Sequence, residues 1–557
     1  MLGVAKHSRK ETAVPHTVSR PDGRQQEILA VPVSVPGPDP VQVADAVARF
    51  LALREFRTRL YRCLTARADA LFELTDAILC ADHAVTSLVQ LCLEPEFTRG
   101  HGALYDALAG GRIDEEGFAQ LLASKLPLQP GGQDEQAWIG EHDVIDHGLL
   151  ESALAGLPDA DAAAVREACA RWRRLRFAID ATPCPRPDAE CSPGREHVHH
   201  DACRCDGTRK TIPGWEYQFL AAAGHLRTAW TAVTDVERTT KATRTAQTAR
   251  QVRNLLRRLA AASRGGAPLV ILDAGYSAAG LTASLAGQPV HLLVRLPAGS
   301  VMYGDPVTWP GRMGRPPRHG IPVTCCNEPD AATPEPDESL LLPDTPQYGT
   351  VRVDAWRGVH PMIHADRGWF KDNWHGELPI LRGTLLRVLV EHLPDGRPPH
   401  KTMWLWHAGP APLSLDELWR AYLARFDEEH TFRFLKGALG LTAAKVRTPD
   451  QADRWVRLVM AAYAQLLIAR PLTGDLRRPW EKPPGPGRPA TAGRVRRGFR
   501  NIRRQIGTPA HVAKPGRPGP GRPKGTASGP APRYPIPKKP RKQNNQDSAP
   551  EKPQVKT

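Results

Sequence analysis

Tyr422-Leu-Ala-Arg425-Phe-Asp-Glu-Glu429-His-Thr-Phe-Arg-Phe-Leu-Lys436 is the stretch on which the reading of this chain turns. At about 100° per residue on a helix, Tyr422, Arg425, Glu429 and Lys436 fall at roughly 0°, −60°, −20° and −40°, a single narrow stripe. The neighbouring acids Asp427 and Glu428 project at about 140° and −120° and are expected to face elsewhere. Ser414 and Glu417 supply a Ser-x-x-Glu capping box ahead of Leu415, Leu418 and Trp419, so the helix has a defined start. A carboxylate flanked by Arg, Lys and Tyr on one face suits a divalent cation beside phosphate oxygens. A solvated helix face would use the same residue types.

Two strand-like runs each end in an acid. Leu175-Arg-Phe-Ala-Ile-Asp180 alternates apolar positions and stops at Thr182-Pro183, while Leu269-Val-Ile-Leu-Asp273 is a continuous apolar run, as in a strand buried on both faces. Taken alone, Asp180 reads first as a turn-forming acid. Asp188 and Glu190 compete with it but lie in a loop. Carboxylates at strand ends, opposite an acid on a helix, are what a metal-centred α/β site requires.

The spacing Tyr-x2-Arg-x3-Glu-x6-Lys resembles, without a gap, the signature of the insertion-sequence-four-like group of DDE transposases. The chain is similar to actinobacterial members from about residue 40 onward. The phrases Arg99-Gly-His-Gly-Ala-Leu-Tyr-Asp-Ala-Leu108, Ile212-Pro-Gly-Trp215, Asp273-Ala-Gly-Tyr276, Gly314-Arg-Pro-Pro317 and Gly376-Glu-Leu-Pro-Ile380 share in the likeness. The resemblance implies a catalytic triad of Asp180, Asp273 and Glu429 holding two Mg²⁺ or Mn²⁺ ions. It also implies that Arg425 and Lys436 grip phosphates, with Tyr422 packing on a sugar or supporting the acid. The implied partners are the element's terminal inverted repeats and a target DNA, bound by a homodimer or higher assembly.

The implied fold is an α/β ribonuclease-H-like catalytic core interrupted by a β-rich insertion, with an N-terminal all-α domain and a disordered basic C-terminal tail. Residues 1–40 read as a disordered leader and 41–165 as a helical DNA-binding or support domain, from the spacing of Val43, Val47, Phe50, Leu60, Leu71 and Ile78. The core is expected over 170–298 and 411–478, the second part carrying the catalytic helix. The insertion is expected over 299–410, with strands near 348–355, 384–390 and 403–406. From 479 to 557 the composition passes into Pro, Gly, Lys and Arg.

Net charge is +16, but Lys482–Thr557 holds 19 Lys or Arg against two acids, so the rest of the chain sums to −1. A near-neutral body with a polycationic tail fits counterion-releasing contact with a nucleic-acid backbone, and a solubilising extension or an RNA-binding arm would share that composition. Within the tail Arg488, Arg517 and Arg522 sit in Gly-Arg-Pro triplets that resemble AT-hook cores. Arg496 and Arg497 open a short basic helix expected to lie on DNA. No signal peptide or membrane span is expected, and ten scattered cysteines point to a reduced compartment, so a bacterial cytoplasmic, nucleoid-associated protein is the expectation.

His197, His199, Cys203 and Cys205 cluster as residue types zinc prefers, but Cys-x-Cys is tighter than the usual spacing and no second matched pair accompanies it. A polar loop is the expectation there, with a structural zinc as its alternative. Trp356, Trp369, Trp374, Trp404 and Trp406 in the insertion are read as core residues first and as base-stacking candidates second. Two further readings of the whole chain stand beside the transposase: a related nuclease without strand transfer, and a catalytically inactive DNA-binding descendant.

Overall fold

Hydrophobic alternation in two short strands sets the architecture. The computed structural model describes residues 17–19, 25–27, 40–124, 174–200, 210–223, 230–261, 267–306, 316–327, 333–394, 396, 402–474, 476–483, 490–514, 525 and 529–536. The chain divides into two compact units, residues 1–48 and 49–557. In the first, β1 Thr17–Ser19 pairs antiparallel with β2 Gln25–Glu27, where the leader was expected to lack structure. Thr and Val favour strands, and the intervening sequence Pro21-Asp22-Gly23 has turn chemistry.

Helix α1, Pro40–Cys63, leads into β3 Leu64–Ala66, α2 Ala68–Cys80, α3 Leu88–Leu91, α4 His101–Gly110, β4 Arg112–Ile113 and α5 Glu115–Ala123. The long sheet begins with β5 Arg176–Pro185, β6 Glu196–His200, β7 Lys210–Ala223 and β8 Ala232–Thr239. Helix α6 Arg244–Ala261 then leads to β9 Leu269–Leu272, α7 Ala278–Ser284 and β10 His291–Leu296. Across the sheet the order β8-β7-β5-β9-β10 pairs β7 antiparallel with both neighbours and sets β5, β9 and β10 parallel.

The inserted strands do not stand apart from this sheet. β16 Met403–Ala408 pairs antiparallel with β10, and β15 Gly383–Val390, β14 Gly349–Pro361 and β13 Glu338–Thr345 continue outward from it. The short β11 Val301–Tyr303 and β12 Pro322–Thr324 close that end. The strand readings at 348–355, 384–390 and 403–406 therefore coincide with real strands. Trp356, Trp404 and Trp406 pack with Met302, Val323, Leu385 and Cys325, so these three rings belong to the core and not to a stacking surface. Trp369 on α8, Gly368–Asn373, and Trp374 just beyond it are only half-buried.

Strand side chains alternate between faces, so β9 divides its residues. Val270 and Leu272 join Phe177, Ile179, Val252, Leu255 and Leu281 under α6 and α7, while Leu269 and Ile271 join Leu293, Leu386 and Leu405 on the other face. That second face is covered by α9, Leu415–Ala424, through Leu415, Leu418, Trp419 and Tyr422. Beyond it follow α10 Phe426–Gly437 and α11 Pro449–Ala469, the latter opened by a capping box of Thr448 and Gln451.

Two boundaries differ from the sequence reading. The helices between Leu53 and Leu122 share one continuous core with α11, with Phe432 and Leu435 of α10, and with the sheet residues Phe219 and Val236. They are therefore part of the body and not a separate all-α module. The tail, expected to be disordered from 479, contains α12, Ala492–Ile506, whose Val495, Phe499 and Ile502 are buried in that same core. The short basic helix expected around Arg496 and Arg497 is present, and three apolar residues on one face of this otherwise basic segment suffice to seat it in the core.

His291 and His407 face each other on β10 and β16, with Nδ1 and Nε2 3.2 Å apart. Burial holds both imidazoles neutral, lowering His291 to about 4 and His407 to about 3. Between pH 6.5 and 5 the unfolded chain therefore takes up protons that the folded chain refuses, and stability falls as pH falls. The melting temperature of His407→Gln is expected to decline less steeply over that window than that of the parent chain. Parallel slopes would remove the pair as the cause.

Candidate catalytic site

The alternation that seats the core also delivers the acids. Ile179 and Leu272 are register partners in the parallel β5–β9 pair, and Asp180 and Asp273 are the next residue on each strand. Asp273 therefore follows Leu269 and Ile271 onto the face covered by α9, and Asp180 follows Ala178 onto the same face. Past Asp273 the chain turns back, with the Tyr276 N–H donating to the Asp273 carbonyl at 3.2 Å and Ser277 capping α7.

Opposite them, the quoted stretch is two helices meeting at Arg425. There the Arg425 N–H donates to the Tyr422 carbonyl and the Glu428 N–H to the Arg425 carbonyl, three-residue bonds that tighten the helix locally. Arg425 is 5% exposed, and its Nη1 donates to Asp180 Oδ2 at 2.8 Å while Nη2 lies 3.8 Å from Glu429 Oε1. Glu429 itself is 53% exposed. Tyr422 is fully buried, with the Arg425 guanidinium 5.7 Å above its ring, so of its two expected roles the supporting one fits and contact with a sugar does not. Arg425 is likewise spent on carboxylates and is a positioning cation in this arrangement, not an open phosphate grip.

Lys436, half-buried, sits where its charge bears on Cys184, four residues beyond Asp180 along β5. At about 3.3 Å per strand residue, that is roughly 13 Å from the acid. Arg496 is buried, with its donors taken by the carbonyls of Ile78 and His83, and Arg497 is paired in two contacts with Glu481. Arg496 holds the body together and does not lie on DNA. Arg488, Arg517 and Arg522 lie outside the described residues, as do Cys203 and Cys205. His197 and His199 are on β6, the ring of His197 with both nitrogens buried and no hydrogen-bond partner, and that of His199 exposed.

The three acids oppose one another. The Asp180 carboxyl is raised above its ordinary value by burial first and then by the charges of Asp273 and Glu429, against the lowering effect of Arg425 and the Ala181 N–H. Asp273 Oδ1 is buried without a hydrogen-bond donor, and Arg295 Nη1 stands 3.9 Å from it. An unsatisfied carboxylate oxygen among mutually repelling acids is the environment a hard oxygen-seeking cation relieves. Among the described residues, however, no three His, Cys, Asp or Glu side chains converge as a ready-made cation cage.

Two further residues at this site escape a reading of the sequence. Glu428, which the projection turned away, is buried with both carboxylate oxygens unpartnered. Burial, and after it the Asp180 charge, push it well above the usual carboxylate range. Tyr276 is buried beside Arg244, 5.7 Å from that guanidinium, and its hydroxyl has no partner among the described residues. In a run of three acids, Asp427-Glu428-Glu429, nothing in residue type tells that the first two are buried and the third exposed.

The chain matches the family model described as DDE superfamily endonuclease over residues 59–144 and 136–362, more than half its length. That span contains Asp180 and Asp273 and ends before α9 and α10. No curated protein matches. Among solved structures, the cryo-EM piggyBac transposase synaptic complex with hairpin DNA is similar at 9% identity and a TM-score of 0.33, covering 84% of this chain and 82% of that one. No helix of the described residues is long and apolar enough to cross a membrane.

Proposed function

Since this chain belongs to the DDE superfamily endonucleases, we propose that it is a DDE transposase, cutting DNA at element ends and joining those ends to target DNA. The observation that carries this reading is the placement of Asp180 and Asp273, each one residue past the last pair of the parallel β5–β9 ladder, on the sheet face met by the helix bearing Glu429. The strand order β8-β7-β5-β9-β10, with its antiparallel and parallel halves, supports the ribonuclease-H-like assignment. The Tyr422, Arg425, Glu429 and Lys436 spacing supports the insertion-sequence-four-like group.

Asp180, Asp273 and Glu429 would hold the divalent ions, Mg²⁺ or Mn²⁺. When bound, such ions supply charge stabilisation for the attacking and departing oxygens of a phosphodiester. Arg425 opposes the upward shift of the Asp180 carboxyl and holds it at 2.8 Å, beside Glu429 of α10. Tyr422 and Phe426 wall the guanidinium from beneath, so its charge is directed at the acids. The reading carries two element ends on a homodimer or higher assembly.

A second reading, a DNA-binding descendant without cleavage, draws on the same ion pair, which commits one acid to a cation. Incubating the protein and Mg²⁺ with duplexes carrying the gene's own flanking ends separates the readings. Strand cleavage followed by joining to a second duplex is the expected result. Cleavage without joining would leave a nuclease, and binding without cleavage the inactive descendant.

A further inference from the structure

On the far side of α10 from Glu429 lies a polar cavity of about 290 Å³, lined by Phe434 of that helix, by Ala438 at its C-cap and by the start of α12. Phe434 lies five residues from Glu429, which at about 100° each places it about 140° round the helix. The cavity's charged lining comprises Arg478, Arg494, Arg496 and Arg497 against Asp82 and Glu481. Glu481 accepts two bonds from Arg497, at 2.8 and 2.6 Å, and stands 3.8 Å from Arg494. One carboxylate thus fixes two guanidinium groups and neutralises at most one of them.

Trp480, which lies in the chain between the lining residues Arg478 and Glu481, is 75% exposed, and the Arg478 guanidinium lies over its ring at 5.7 Å. An indole that is 75% exposed with a cation over its ring is a platform on which an unpaired base stacks. The adjoining cationic cavity matches the charge of the phosphate attached to such a base.

We infer that Trp480 and the arginine-lined cavity form a second DNA contact, which takes an unpaired nucleotide, its base on Trp480 and its phosphate among Arg478, Arg494 and Arg497. The inference rests on the reading of DNA as substrate and adds a site that α10 separates from the acids. Arg496, its donors spent on Ile78 and His83, anchors the wall. The partner is single-stranded DNA, because a paired base has no free face for the indole.

The test measures binding of a fluorescent 20-nucleotide oligothymidine and of a 30-base-pair duplex by anisotropy across a salt series, for the parent chain, Trp480→Ala and Arg478→Ala. Both side chains are exposed, and unchanged melting temperatures would confirm intact folds. Trp480→Ala is expected to weaken oligothymidine binding by about 5- to 100-fold while leaving the duplex within about twofold. Arg478→Ala is expected to reduce the salt slope for the strand by about 0.7. Strand binding equal to the parent's in both variants would overturn the inference and leave the catalytic reading intact. So would a loss in Trp480→Ala confined to concentration-dependent self-association, which would make the patch a contact between copies of this chain. A parent chain that binds neither probe would overturn the DNA reading along with it.

Discussion

Glu429→Gln is expected to lower Mg²⁺-dependent strand cleavage by about 10³-fold, with DNA affinity and melting temperature close to those of the parent chain. The expectation follows from position: the side chain is 53% exposed, so its replacement by an isostere touches no packing, and exposed substitutions of this kind shift stability by about 0.5 kcal/mol or less. What is lost is an anionic ligand at the reacting phosphodiester, where charge stabilisation amounts to several kcal/mol at about 1.4 kcal/mol per tenfold in rate. Single-turnover cleavage of an end-labelled duplex measures it. Glu428→Gln is the informative control, because Glu428 is buried, has no partner for either oxygen among the described residues and has its carboxyl pushed well above the usual range toward the uncharged form, so an amide of the same shape should keep cleavage within about tenfold. Cleavage surviving Glu429→Gln and vanishing in Glu428→Gln would move the catalytic acid one residue back and turn the inner face of α10 toward the chemistry. Asp180→Asn is expected to abolish cleavage as well, but with a stability loss, since it removes a full charge from its 2.8 Å contact with Arg425.

These contrasts mark what was legible in the sequence. Two apolar runs leading to Asp180 and Asp273 put both acids on one face, because strand alternation converts residue parity into a face and the β5–β9 ladder stops one residue short of each, although β5 itself runs on to Pro185, paired with β7, where Thr182-Pro183 suggested a turn. Helical periodicity placed Tyr422, Arg425 and Glu429 on one side of one segment, and the structure arranges them in that order from core to surface. Periodicity alone does not report depth. The same projection made Tyr422 and Arg425 look like ligand contacts, whereas one is fully buried and the other is closed off by the carboxylates it serves. The domain boundaries were less legible for a related reason. An amphipathic helix announces that it buries a face but not which neighbour covers it, so the N-terminal helices, which end up on α11 and α12, read as a module of their own. In the tail, the basic helix was legible, but composition averaged over 76 residues concealed that its apolar face is buried in the core.

The deepest consequence of that shared core is a charge network, and Asp76→Ala is expected to destabilise the chain by about 3–5 kcal/mol, the cost of stranding a buried ion whose partner is removed. Asp76 on α2 is fully buried, and Arg57 of α1 grips it twice, Nη1 to Oδ1 at 2.7 Å and Nη2 to Oδ2 at 2.9 Å. Arg503 of α12 donates a third bond to Oδ2 at 2.8 Å, and Gln465 of α11 takes the remaining reach of Arg57 Nη1 at 2.7 Å. Removing the carboxylate leaves Arg57, 2% exposed, with only neutral acceptors in Gln465 and the Gly507 carbonyl. Arg503→Ala should cost less, since Arg503 is 19% exposed and Arg57 still satisfies the acid. A double-mutant cycle between the two positions would show coupling above about 0.5 kcal/mol if they act as one network. Chemical unfolding followed by far-ultraviolet circular dichroism reads all of these, and an Asp76→Ala midpoint matching the parent's would mean that the network is solvated and the helical region stands by itself. Arg57→Leu combined with Asp76→Leu discriminates further: if burial of uncompensated charge is the cause, the double apolar replacement recovers much of what Asp76→Ala loses, while the bond from Arg503 to α2 disappears and α12 becomes the first element to open to proteolysis.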